Sequence, residues 1–232
     1  MYNLNDQEIL DKASELYFHA ESTIKALDAV FIHAMKNNMD EESAEKLKDF
    51  DPETTLATFD LILQGVLLSV ALADGELTPV EQNFIEQFTI HADLLAFIEA
   101  DMEEKIGEAP DLSWDFISRL DDESRNKILT ILPAVLDDAC KVFVFPLTTA
   151  DVVYSMEGKV QTPRGIFLKS IENDMVGIAD LLASVDKQYS AEERSAGAKM
   201  IFELEGRHWR DILSDPDFFG DSSISSSNSD SE

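Results

Sequence analysis

The sequence predicts an all-helical fold with an internal duplication, and three observations point there. Apolar residues recur at three- and four-residue intervals over long stretches, the spacing of a helix with one buried face. Only 9 Gly and 7 Pro occur in 232 residues, a composition that suits helices joined by short loops. Finally, the segment Ala71-Leu72-Ala73-Asp74-Gly75-Glu76-Leu77-Thr78-Pro79-Val80-Glu81 returns as a weaker copy 112 positions later, Ala183-Ser184-Val185-Asp186-Lys187-Gln188-Tyr189-Ser190-Ala191-Glu192-Glu193. Each copy follows an apolar run, turns at an acidic residue, and opens a helix with a hydroxyl and a glutamate three positions on. Thr78/Glu81 and Ser190/Glu193 both fit the capping box, and Pro79 falls at the first helical position, where no amide proton is needed.

The elements follow in order. Residues 6–36 read as one helix whose stripe is Leu10, Ala13, Leu16, Tyr17, Ala20, Ile24, Leu27 and Phe31. A short acidic helix over 41–48 comes next. Asp51-Pro52 is a cap and first turn, and opens a helix through Leu72 that is apolar on most faces from Phe59 to Val70. A helix over 79–89 should turn Val80, Phe84, Ile85 and Phe88 inward. Another over 93–105 closes at Gly107, and a short one over 112–120 carries Trp114, Phe116 and Ile117. Asp121 caps a helix expected to kink at Pro133. Val142-Phe143-Val144-Phe145 has strand-like composition and no partner strand, so we read it as buried helix. Thr162-Pro163 opens the helix into the second motif, and Ser190 opens the last, ending near Gly206.

This organises the chain as an N-terminal helical extension (1–50), a duplicated helical domain (51–214) and a serine-rich acidic tail (215–232) with almost nothing to bury.

The charge is extreme, 47 acidic against 18 basic side chains for a formal −29. Such a body repels phosphate backbones and anionic lipid, which excludes direct nucleic-acid or headgroup binding and leaves cations and basic protein surfaces as partners. The N-terminal residues show no secretion signal, and no uninterrupted apolar run reaches the ~18–20 residues of a membrane span, so the expected location is cytoplasmic. The single cysteine, Cys140, lies in an apolar run and reads as a buried small side chain.

Candidate chemistry centres on the two turns. Asp74, Glu76 and Glu81 are oxygen donors of the kind calcium or magnesium takes, and Asp186 and Glu193 repeat part of the set. Laid over an EF-hand loop, Asp74-Gly75 fall at positions five and six and Glu81 at twelve, while Val70 and Leu72 occupy ligand positions they cannot serve. The same residues also serve as a helix stop and a cap. A carboxylate-bridged di-iron site fails because Glu205-Gly206-Arg207-His208 offers only one of the two required Glu-x-x-His pairs. Nucleophile elbows, phosphate loops and zinc helices are missing from the sequence, and His19, His33 and His91 read as ordinary helical histidines.

Val70-Ala71-Leu72-Ala73-Asp74-Gly75-Glu76-Leu77-Thr78-Pro79-Val80-Glu81-Gln82 resembles the signature of the TerB-like family, bacterial helical proteins associated with tellurite resistance. The resemblance covers two stretches of about a dozen residues, and Lys187 departs from it where the first copy has glycine. It implies a non-enzymatic acidic module of a stress response, acting by protein interaction near the membrane, with cation binding at the turns. An acidic mimic that fills the basic groove of a nucleic-acid-binding protein is the alternative that charge suggests. Deleting residues 215–232 should leave the thermal midpoint within a degree or two of the full chain on the order expected for an unpacked terminus; a fall of many degrees in a calorimetric scan would show that the tail packs.

Overall fold

The computed structural model describes residues 6–37, 48, 50–73, 75, 77–107, 112–156, 166–185, 193, 195–197 and 199–201. These form helices joined by turns and short loops, with no strand among them. The elements are α1 (Asp6–Asn37), α2 (Pro52–Ala71), α3 (Pro79–Glu86), α4 (Leu94–Ile106), α5 (Trp114–Ser118), α6 (Asp122–Val135), α7 (Asp137–Met156) and α8 (Phe167–Leu182). Glu193, Ser195 to Gly197 and Lys199 to Ile201 are helical as well. The expected acidic helix over 41–48, the Thr162-Pro163 start and the tail lie outside the described residues, apart from Lys48.

Local chemistry sets most helix starts. Asp51 accepts from the amides of Glu53 and Thr54 and feeds Pro52 into α2. Asp93, Ser113 and Asp121 cap α4, α5 and α6 in the same way, satisfying amides that a helix start leaves free. The start of α8 is different. Ile166 offers no side-chain cap, and Asp151 of α7 instead accepts from the amides of Ile166 (2.6 Å), Phe167 (2.8 Å) and Leu168 (3.3 Å). A carboxylate fifteen residues away thus fixes where α8 begins and ties it to α7.

Helices α1, α2, α7 and α8 pack mutually as the centre of the molecule, with α3 and α4 against α2 and α6 against α7. Of the stripe expected on α1, Ala13, Tyr17, Ala20, Ile24, Leu27 and Phe31 are buried in the same core as α2, Ile9 joins them, and Leu10 and Leu16 are partly buried against it. Burying each such large side chain contributes about 1.5–3 kcal/mol. From Phe59 to Ala71 every residue of α2 is buried. By length and mean hydropathy (1.6) this helix also meets the description of a membrane span, because a tally of uninterrupted apolar runs stops at Asp60 and Gln64; here 89% of that window is buried inside the protein.

Val80 is 45% exposed rather than inward, because α3 is only eight residues long and Phe84 and Ile85 occupy its buried side. Val142-Phe143-Val144-Phe145 is helical as read, with Val142 turned outward. The helix containing Pro133 runs to Val135 and gives way to α7 at Leu136, with Leu136 N still donating to Leu132 O (3.0 Å) and Cys140 N to Leu136 O (2.9 Å).

Two glycines 112 positions apart, Gly65 and Gly177, mark where helices approach most closely. A side chain at Gly65 would collide with Leu136, and one at Gly177 would lie 2.8 Å from Leu16 Cδ1. Leu136 is wholly buried, whereas Leu16 is only partly so and can swing aside. Gly65→Ala should therefore destabilise, since overpacking costs about 1–3 kcal/mol against about 0.5–1 kcal/mol gained by removing a helical glycine. Gly177→Ala should fall within about 1 kcal/mol of the parent on the same arithmetic. Urea midpoints of the two variants check the difference, and equal losses would contradict it.

Candidate functional site

At the first motif, α2 unwinds through Leu72, Ala73 N donating to Val70 O (3.0 Å) and Gly75 N to Leu72 O (3.3 Å). Gly75 has φ +99°, a left-handed backbone that side chains resist, which is why the turn carries Asp-Gly. Thr78 then caps α3. Its amide donates to Glu81 Oε2 at 2.7 Å, and the Glu81 amide donates to Thr78 Oγ1 at 3.3 Å, completing the expected capping box. Glu81 is 1% exposed, so its carboxylate is a buried fastening of the helix start.

At the second motif the chain leaves α8 with Ser184 N donating to Leu181 O (3.0 Å) and Val185 N to Leu182 O (2.9 Å). Glu193 reappears within a helical segment and is also 1% exposed. Gly197, later in that segment, packs against Val70 of α2 and Ala179 of α8. Asp74, Glu76 and Asp186 lie outside the described residues. Among the described residues no three His, Cys, Asp or Glu side chains converge to hold a metal.

Arg125, on the first turn of α6, is a residue that motif reading missed. A methyl group at Gly75 would lie 3.8 Å from Arg125 Nη2 and 3.9 Å from both Cζ and Nη1. These are ordinary contact distances, so the guanidinium lies near the turn without crowding it. The Arg125 side chain is 15% exposed and also pairs with Asp122 one turn earlier on α6. The one available signal was its position: a cation in the first turn of a helix opposes the helix dipole, so a tertiary partner is to be sought.

A second polar cluster lies inside the molecule. Asp60, one turn before Gln64 on α2, accepts the Tyr17 hydroxyl of α1 (2.7 Å) and the amide of His91 (2.6 Å). Gln64 Nε2 donates to the carbonyls of Phe88 (3.0 Å) and Ala92 (2.9 Å), and its Oε1 accepts the Leu94 amide (2.9 Å). On the far side of α1, His19 Nδ1 shares a 2.7 Å hydrogen bond with Asp174 of α8. Burial raises the Asp60 carboxyl above its usual range, opposed by the bonds from Tyr17 and His91. It does the same to Asp151 against three backbone amides and to Asp174 against His19. Tyr17 is pushed up by burial first and by Asp60 second. Each of these groups is committed to a structural bond. An open groove of about 340 Å³ on α6, lined by Glu123, Asn126, Lys127, Thr130 and Ile131, includes none of them and none of the five sequence-derived ligand candidates.

No family model matches the chain, and no curated protein or solved structure matches it either.

The raised carboxyls set a pH dependence. A folded pKa above the unfolded one means stability that is complete below the ordinary carboxylate range and is lost as pH rises through the raised values. The exposed caps Asp51 and Asp121 are held low by their hydrogen bonds to Thr54 and Ser124, so their contribution is lost only in stronger acid, below that range. As pH falls toward the ordinary carboxylate range the buried groups prevail, and the urea midpoint should rise. Asp151→Asn preserves a capping oxygen and removes the ionisation, so it should flatten the slope while α8 stays formed. A slope unchanged by this substitution would show that Asp151 ionises without cost.

Proposed function

We propose that the chain is a non-enzymatic, duplicated TerB-like protein of a tellurite-resistance type of stress response, acting by protein interaction at its acidic turns. The observation that carries this reading is the pair Glu81 and Glu193, 112 positions apart, each 1% exposed and each in a helical segment after its turn. Gly65 and Gly177 support the duplication from within, because both lie at close helix contacts with the same separation. The left-handed Gly75 and the Thr78/Glu81 box account for the residues that carry the family resemblance. The commitment of Asp60, Asp151 and Asp174 to helix packing supports a non-catalytic role for the interior carboxylates.

In this reading Asp74 and Glu76, flanking Gly75, present negative charge to a partner with a basic surface. Glu81 holds the helix behind them. Calcium or magnesium at the same turn is the narrower form of the proposal. The formal charge of −29 favours a second reading, in which the whole acidic surface mimics nucleic acid toward a basic protein groove.

Position against total charge separates the two. Asp74→Asn with Glu76→Gln should weaken binding of a synthetic arginine-rich peptide at least about tenfold at fixed salt, as loss of a close charge pair does. Glu103→Gln with Glu104→Gln, equal in charge and exposed on α4, should change it little. Equal losses in the two double variants would reject the turn and favour mimicry. In the cation form, calcium or magnesium raises the thermal midpoint of the parent, worth about 2.7 kcal/mol at a hundredfold excess over Kd, and leaves the Asp74/Glu76 variant unmoved.

A further inference from the structure

Helix α6 keeps little of itself inside the molecule. Of its 14 residues only Leu132 and Pro133 are buried, while Ile128 and Leu129 are partly buried against the core. Glu123, Asn126, Lys127, Thr130, Ile131 and Ala134 recur at three- and four-residue intervals and are all exposed, so they form one continuous face. All but Ala134 line the groove of about 340 Å³, and Ile131 leaves 50% of its surface in water there. A helix in a protein owes most of its stability to covering its apolar residues, and on α6 that cover is incomplete.

Charge sets this face apart. α6 carries two acidic and two basic side chains, Asp122 and Glu123 against Arg125 and Lys127. In every other helix from α1 to α8 the acidic side chains outnumber the basic ones. A chain of formal charge −29 repels a like body, and α6 is where that repulsion is weakest. A basic partner is drawn to the acidic helices instead, so a face of balanced charge suits an acidic visitor. The ion pair on this face is also self-complementary. Lys127 Nζ lies 2.6 Å from Glu123 Oε1, and the two side chains are 70% and 79% exposed. Two α6 helices related by a two-fold axis and running antiparallel bring Glu123 of each toward Lys127 of the other. The pair within each helix can then be exchanged for pairs between copies, with no charge stranded.

We propose that the exposed face of α6 is a self-association surface, on which a second copy of this chain lays its own α6 antiparallel, covering Ile131 and pairing Glu123 with Lys127 across the two-fold axis. This goes beyond the reading of the acidic turns and does not rest on it. An isologous contact of this kind closes after two copies, so the product is a dimer and not a fibre. One helix face is a small interface, so the dimer is weak and forms with rising concentration.

The test is sedimentation velocity of the full chain over a concentration series. The parent should pass from monomer to dimer, and more readily in about 0.1 M than in about 0.01 M salt, because the screening length falls from about 30 to about 10 Å and the repulsion between the two bodies falls with it. Ile131→Glu should weaken association at least about tenfold, the scale of a central interface residue. Ile90→Glu, at a residue 56% exposed in the loop between α3 and α4, should leave it unchanged. Glu123→Lys and Lys127→Glu should each remain monomeric alone and form a mixed dimer when combined, since only the mixture sets lysine against glutamate at both contacts. The mixture decides the matter should Ile131→Glu fail to fold by circular dichroism. A parent that stays monomeric at every concentration in both salts would leave the face to a different protein and overturn the proposal. A dimer that survives Ile131→Glu, or a mixture of the two charge variants that stays monomeric while the parent dimerises, would place the contact elsewhere and overturn it. A photoreactive residue at position 131 should crosslink to a second chain; a crosslink within its own chain would assign the face to an internal segment and overturn the proposal as well.

Discussion

The structure depends on two polar residues in its most apolar helix. Asp60 and Gln64 stand one turn apart on α2, both wholly buried, among leucines, isoleucines and valines. Buried polar groups cost several kcal/mol unless hydrogen-bonded, so such a pair persists only where the bonds are made. Here they are. Gln64 spends its amide on both ends of the loop joining α3 to α4, and Asp60 takes the His91 amide from the middle of that loop and the Tyr17 hydroxyl from α1. Three elements are thereby registered on α2, and α3, which begins at the first acidic turn, is held at its far end. Apolar packing alone would let α3 and α4 slide over a smooth leucine surface. The polar strap selects one arrangement.

That strap also shows where sequence reading succeeds and where it stops. Helix starts at Asp51, Thr78 and Asp121 were legible because a cap is a contact between residues two or three apart. The stripe of α1 was legible because periodicity is a property of one helix. The cap of α8 was not, since Asp151 reaches it from another helix and nothing in local spacing announces that. Gln64 looked like an interruption in an apolar run, whereas its partners lie 24 to 30 residues away. Val80 fits an inward position by spacing alone, but a helix of two turns buries only the side facing α2. Of the candidate ligands, Glu81 was legible as a cap from its spacing to Thr78. Its burial, and that of Glu193, needed the tertiary structure.

Charge plays a different part outside the core than at the turns. Lys25–Glu21, Arg119–Asp115, Lys127–Glu123 and Lys141–Asp137 are exposed pairs three or four residues apart, of a kind worth a few tenths of a kcal/mol each. They soften local repulsion and leave the net charge almost untouched. A surplus of this size favours solubility and attraction of basic partners and works against compactness. The fold answers on the inside, with apolar helices and with carboxylates such as Asp151 that lie against backbone amides.

The two turns differ in sequence where the first has its glycine. The first places glycine in a left-handed backbone, with the guanidinium of Arg125 from α6 nearby. In the second, Lys187 stands in the sequence where the first has Gly75, so a positive charge is built into the repeat itself. The helical segment that follows the second turn packs on the core, where Gly197 lies against Val70 and Ala179.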